Sequence, residues 1–184
     1  EKGIGSGKVM MTFAVTGSQK QCDFNHATAL EICASQGAVA DQSGLGDNWA
    51  HGRFRAPYVR DPLGSAGYAV DTMETAVDWS RVTESMESIE QAIRTGLADE
   101  GEQVHAYTHL SHVYGQGSSI YTTYVYRFGD SYEQALQRWH KLKTAGAEQI
   151  VACGGTISHQ HGVGADHRQY LPAEKGALGI AAIN

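Results

Sequence analysis

No stretch of the sequence approaches the ~18 to 20 consecutive apolar residues that a membrane-spanning helix requires. Nor does it begin with the charged and then apolar segment of a secretory signal, so the chain is expected to be soluble and to carry no readable address. Cysteine is scarce: Cys22, Cys33 and Cys153 are odd in number and far apart. That spacing suits neither a disulfide framework nor a thiolate metal site and fits reduced, buried thiols in a cytoplasm. Positive charge is also short, with 14 Lys and Arg against 20 Asp and Glu and a formal net charge of -6. This argues against a general binder of nucleic acid or anionic membranes and leaves room for a local arginine pocket. Low-complexity segments and short-period repeats are missing, which excludes solenoids and propellers. There is no Gly-x-Ser-x-Gly elbow. Gly3 to Lys8 lacks the Lys-Ser/Thr ending and following helix of a phosphate loop, and reads as a flexible terminus.

What is present is an ordinary globular composition, 41% hydrophobic and 18% charged, over 184 residues, enough for one domain with a real core. Lys8 to Thr16 is rich in strand formers and predicts a strand; Asp23 would cap a helix running through Leu30 and Ala34 to Gly37. Residues 38–67 lose periodicity, a long excursion of the kind that is functional or partly helical. Tyr68 to Val77 alternates as a strand, and a helix with Val82, Met86, Ile89, Ile93 and Leu97 on one face follows, ending by Gly101. Gln103 to Tyr114 and Ser118 to Phe128 flank Gly115-Gln116-Gly117 as a hairpin. Gly129-Asp130-Ser131 introduces a long helix through Leu136, Trp139, Leu142 and Ile150, and another helix begins near Ala173. Four strands and three substantial helices in this order predict an α+β fold: a ferredoxin-like, mostly antiparallel sheet with helices on one face. Neither end shows a capped boundary, so residues 1–184 are expected to be a fragment of a longer protein.

The chemistry concentrates in Cys153 to Gly164, where four glycines surround His159-Gln160-His161. Glycines let a backbone turn and approach a ligand closely, and conspicuous polar loops on rigid scaffolds carry function. In the hairpin, His105 and His109 share a strand face that His112 does not. No acidic residue neighbours these histidines in the sequence, so no metal is expected. Within Arg53 to Pro62, arginines interleave with Phe54 and Tyr58, and a guanidinium held over a pocket suits carboxylate or phosphate. Arg60, Tyr121, His159 and His161 thus form a set of donors and proton carriers with no oxidant among them. Redox chemistry would need a cofactor.

Five ordered motifs carry a resemblance: Pro57-Tyr58-Val59-Arg60-Asp61, Met73-Glu74-Thr75 with Trp79-Ser80-Arg81-Val82, His109-Leu110-Ser111-His112-Val113-Tyr114, Ser119-Ile120-Tyr121, and Gly154 to Gly164. In this order they resemble the C-terminal, FAD-linked-oxidase domain of the vanillyl-alcohol-oxidase type flavoproteins, most closely the alkyldihydroxyacetonephosphate synthases and their bacterial relatives. The resemblance implies a substrate or cap domain over the face of an FAD that another domain of the full-length protein mainly binds. It implies Arg60 as the anchor of an anionic substrate, Tyr121 as the acid-base tyrosine, and His159, Gln160 and His161 beside the flavin, with catalytic work shared by Tyr121, His159 and His161. The substrate class is a phosphate- or carboxylate-bearing hydroxy or keto compound. Chemistry of the D-2-hydroxyacid dehydrogenase type is the alternative, as is a binding module without catalysis of its own. The full-length protein leaves room for a homodimer and for peripheral membrane contact. The sequence departs from the synthase pattern where Gln160 replaces the middle of three histidines and Ser119 replaces a cysteine.

Overall fold

The computed structural model describes residues 7, 10–40 and 44–183, in two units, Glu1–Tyr58 and Val59–Asn184. In the first unit α1 runs Gln19–Ser35, four residues ahead of the expected Asp23 cap. Its start is set by Ser18, whose backbone N–H donates to Gln21 Oε1 at 3.1 Å, half of a reciprocal cap. Asp23 instead lies inside the helix, accepting from Gln19 Nε2. None of its residues is buried. Of the strand expected over residues 8–16, Lys8 and Val9 lie outside the described residues and 10–16 form no strand. Strand formers extend only where a neighbouring ladder accepts their backbone groups, and none of the described strands pairs with this segment. The stretch without legible periodicity is helical, with α2 at Leu45–Gly52 and a 3₁₀ segment at Arg53–Val59.

The second unit holds α3 (Arg60–Ser65), β1 (Tyr68–Asp78), α4 (Val82–Thr95), β2 (His105–His109), β3 (Gly117–Arg127), α5 (Tyr132–Ala152), α6 (Gly164–His167) and α7 (Leu171–Ile183). In α4 the buried residues Val82, Ser85, Ile89 and Ile93 recur at three- and four-residue spacing, a single stripe. Ser131 caps α5 by accepting the Gln134 N–H at 3.1 Å, and Leu142, Ala147 and Ile150 face inward. Burial of each such Ile or Leu side chain contributes about 1.5–3 kcal/mol.

The sheet is antiparallel in the order β1-β3-β2, so among the described residues three strands stand where four were expected. The succession β1, α4, β2, β3, α5 is that of a ferredoxin-like unit short of its last strand. The glycine-rich segment takes that strand's place along β1: Thr156 N–H donates to Ala76 O at 3.3 Å and His159 N–H to Glu74 O at 3.0 Å.

Alternation divides the two faces. Ile120, Thr122, Tyr124 and Tyr126 of β3 and Met73 of β1 are buried, and most of these join Ile89, Ile93, Leu142 and Ile150 in the core beneath α4 and α5. The register pairs Glu74 with Tyr121 and Tyr121 with His109 on the other face, which no helix of the core covers. Polar anchors hold α5 in place. Arg138 Nε meets Glu100 at 2.7 Å, and Asp71 accepts from Tyr124 Oη, Trp139 Nε1 and Lys143.

Candidate active site on the sheet face opposite α4 and α5

The free edge of β1 exposes a row of carbonyls that need partners. Each has one. Val70 O accepts from Arg60 Nη2 at 3.3 Å, Thr72 O from Lys143 Nζ at 2.7 Å, Glu74 O from His159 N–H and Ala76 O from Thr156 N–H. The structure thus brings Arg60 and the histidine loop to the same strand edge. Val70 and Glu74 are four residues apart, about 13 Å at the rise of a strand. Arg60 is exposed and makes no hydrogen bond to Tyr121, His159 or His161 among the described residues.

Between His159 and His161 the chain turns through Gln160, the one non-glycine residue with positive φ among the described residues, at 62°. The Gln160 side chain is exposed, and both imidazoles lie within ion-pair reach of one group, the Glu74 carboxylate. His161 Nε2 lies 3.1 Å from Glu74 Oε2, and His159 Nδ1 lies 3.2 Å from Oε1. His112 Nδ1 approaches Oε1 at 3.5 Å, and the Ser111 hydroxyl donates to the same oxygen. Ser119 bonds Ser111 Oγ at 2.6 Å and accepts the His112 N–H at 2.8 Å. On the far side of His159, Nε2 and Tyr114 Oη are 3.1 Å apart, while Trp79 Nε1 fixes Tyr114 through its carbonyl.

Tyr121 stands beside this cluster. Its ring meets His161 edge to face at a centroid distance of 5.5 Å and His109 at 5.0 Å. Of the residues expected from the sequence, Tyr121, His159 and His161 are therefore contiguous, Arg60 lies farther along the same edge, and the Gln160 side chain is exposed.

Glu74 is the residue that sequence reasoning passed over. Its side chain is only 3% exposed, and the groups within ion-pair reach are histidines. Burial alone would push its carboxyl up; the Ser111 hydroxyl, the His159 ring and Ser119 outweigh that and hold it below the ordinary carboxylate value. It is thus an ionised acceptor. Glu74, His112 and His159 each bring one ligand atom within 4.8 Å of the others, close enough for a cation, and His159 Nδ1 is buried without a linear hydrogen bond. The carboxylate is, however, already engaged by Ser111 and by His161. The sequence signal for Glu74 was its place in the alternation of β1: a charged residue between Met73 and Thr75 belongs to the face away from the core.

The profile of the FAD linked oxidases, C-terminal domain, matches residues 2–184. The chain belongs to that family. Among curated relatives it is 28% identical over 155 residues to the alkyldihydroxyacetonephosphate synthase of Dictyostelium discoideum, covering 84% of this chain and 25% of that protein. It is 29% identical over 132 residues to the Caenorhabditis elegans alkyldihydroxyacetonephosphate synthase, covering 71% of this chain and 22% of that one. A third relative, the uncharacterized FAD-linked oxidoreductase YgcU of Escherichia coli K12, is 28% identical over 133 residues, 71% of this chain and 27% of the relative. A solved alkyldihydroxyacetonephosphate synthase superposes with a TM-score of 0.59 at 24% identity, over 75% of this chain and 24% of that one, which establishes the shared α+β fold. The chain spans about a quarter of the length of the curated relatives it matches. FAD is the cofactor that membership of this family implies. Tyr114, about half exposed, stands beside the histidine cluster.

Proposed function

We propose that the chain is the substrate-facing domain of a longer, cytoplasmic FAD-dependent enzyme that acts on an anionic hydroxy or keto substrate bearing phosphate or carboxylate. What supports this reading is the gathering of Tyr121, His109, Glu74, His159 and His161 on the sheet face opposite α4 and α5, with Arg60 on the same edge of β1. FAD, held mainly by another domain, supplies the electron-pair chemistry. The residues of this chain do the rest. Arg60 is free to swing its guanidinium from the Val70 carbonyl onto the anionic group, where its planar fork gives two bonds in a fixed orientation. The Tyr121 phenol moves a proton at the reacting carbon's oxygen, and His159 and His161 form the wall against the flavin.

Steady-state kinetics of the FAD-containing protein separate these roles. Losing a charge-assisted bond of about 1.5–3 kcal/mol, Arg60→Ala should raise KM roughly 10- to 150-fold with kcat nearly kept. Tyr121→Phe should lower kcat by about 10²–10⁴ with KM nearly kept. Small, equal effects from both variants would overturn the assignment. The 184-residue chain alone is expected to be colourless and inactive.

A further inference from the structure

We propose that Glu74, His112 and His159 form a binding site for one divalent transition-metal ion of the zinc class, on the sheet face opposite α4 and α5. This goes beyond the roles given to Arg60 and Tyr121 and does not depend on them.

Three separate stretches supply the donors. Glu74 comes from β1, His112 from the connection between β2 and β3, and His159 from the glycine-rich loop that pairs with the edge of β1. One ligand atom from each lies within 4.8 Å of the others. Glu74 Oε1 is 3.2 Å from His159 Nδ1 and 3.5 Å from His112 Nδ1. Around a tetrahedral ion with bonds of about 2.0–2.2 Å, donor atoms stand about 3.3–3.5 Å apart. The carboxylate oxygen thus keeps the spacing of a coordination sphere with both imidazoles. His112, with a side chain 43% exposed, has room to move in toward His159.

Hydrogen bonding does not account for this arrangement. His159 Nδ1 is buried and has no hydrogen-bond partner, although the carboxylate oxygen is 3.2 Å away. A buried polar atom left unpaired is costly, and a cation shared between the nitrogen and the carboxylate removes that cost. The groups around the donors are those that hold ligands in place. Tyr114 Oη meets His159 Nε2 at 3.1 Å on the side away from Glu74, Ser111 donates to Glu74 Oε1, and Ser119 Oγ accepts the His112 N–H. The Ser111 bond is no obstacle, since a carboxylate oxygen has two lone pairs and keeps one for the ion. His161 faces Oε2 and stays outside the set.

The donors select the ion. Two imidazoles and one carboxylate suit zinc and its first-row neighbours, whereas magnesium and calcium are bound by oxygen. Three protein ligands leave a position for water or for a substrate hydroxyl or keto oxygen.

Zinc binding to the FAD-containing protein tests the proposal. After metal is stripped with a chelator, isothermal titration calorimetry with Zn²⁺ at about pH 7.5, above the ordinary histidine value, should show one ion per chain bound through these residues. Glu74→Gln, His112→Gln and His159→Gln should each weaken that binding by about tenfold or more. His140 is exposed on α5, and His140→Gln should leave it unchanged. Mg²⁺ should not compete. Circular dichroism shows which variants fold; should Glu74→Gln not fold, His112→Gln decides, since its side chain is partly exposed. No Zn²⁺ on the wild type, a loss under about tenfold in any folded variant of the three, a like loss in His140→Gln, or equal binding of Mg²⁺ would overturn the proposal. The titration involves no turnover, so its failure is distinct from a failure of the Arg60 and Tyr121 kinetics.

Discussion

Gly155 is where the histidine loop touches the sheet most closely, and replacing it measures how far the site depends on that contact. A Cβ at Gly155 would collide with Thr75 Oγ1 and press on Val77 at 3.2 Å and Ile150 at 3.5 Å. Thr75 Oγ1 is not free to move aside, since it donates to Thr156 O at 2.7 Å. Overpacking of this kind costs about 1–3 kcal/mol, and losing the Thr75 bond adds about 1 kcal/mol. Gly155→Ala should therefore destabilise by about 2–4 kcal/mol in all, which lowers Tm by roughly 5–12 °C for a chain of this size. Gly162→Ala is the comparison: nothing lies within 4 Å of its Cβ, and only its positive φ of 75° is at stake. That costs about 1–2 kcal/mol, or roughly 2–6 °C. Thermal melts followed by far-ultraviolet circular dichroism at fixed pH compare the two. If Gly155→Ala proved no more destabilising than Gly162→Ala, the loop would not be wedged against β1, and the placement of His159 and His161 would lose its basis.

Two further outcomes follow from single residues. Gln160 holds a left-handed conformation at φ 62° that glycine adopts without penalty; Gln160→Gly should raise Tm by about 2–3 °C, and a fall would show that its side chain makes a stabilising contact. His167 is buried, its Nδ1 has no partner, and burial followed by the Lys143 ammonium holds it below its ordinary value. The unfolded state then binds more protons than the native state below about pH 6.5, so stability is full above that pH and is lost as pH falls through the lowered native value. Urea midpoints between about pH 8 and pH 5 should therefore drop more steeply for the wild type than for His167→Gln; parallel profiles would contradict the burial argument.

The elements whose side chains meet the core by a regular period were legible in the sequence. β1 and β3 alternate, α4 carries its stripe at Val82, Ile89 and Ile93, and α5 begins at the Ser131 cap, all close to expectation. Residues 10–16 misled because strand propensity says nothing about whether a partner edge exists. Residues 45–65, expected to be functional or partly helical, do form helices, none of whose residues is buried, which is why their bounds could not be read from an apolar stripe. At the site, Tyr121, His159 and His161 could be named from local pattern and resemblance. Glu74 could not be placed with them: its partners Ser111, His112, His159 and His161 lie 37 to 87 residues along the chain, and only the pairing of the loop with the free edge of β1 brings them together. No acidic residue neighbours the histidines in the sequence, yet one stands among them in the fold for that reason.

The central claim is that the sheet face opposite α4 and α5, which bears Glu74, Tyr121 and His161, is the wall turned toward the flavin. A crystal structure of the FAD-containing protein tests it most directly. The account predicts the flavin ring in van der Waals contact with Tyr121 and His161, on the sheet face opposite α4 and α5. A flavin seated elsewhere, with Tyr121 and His161 left facing solvent, would contradict it.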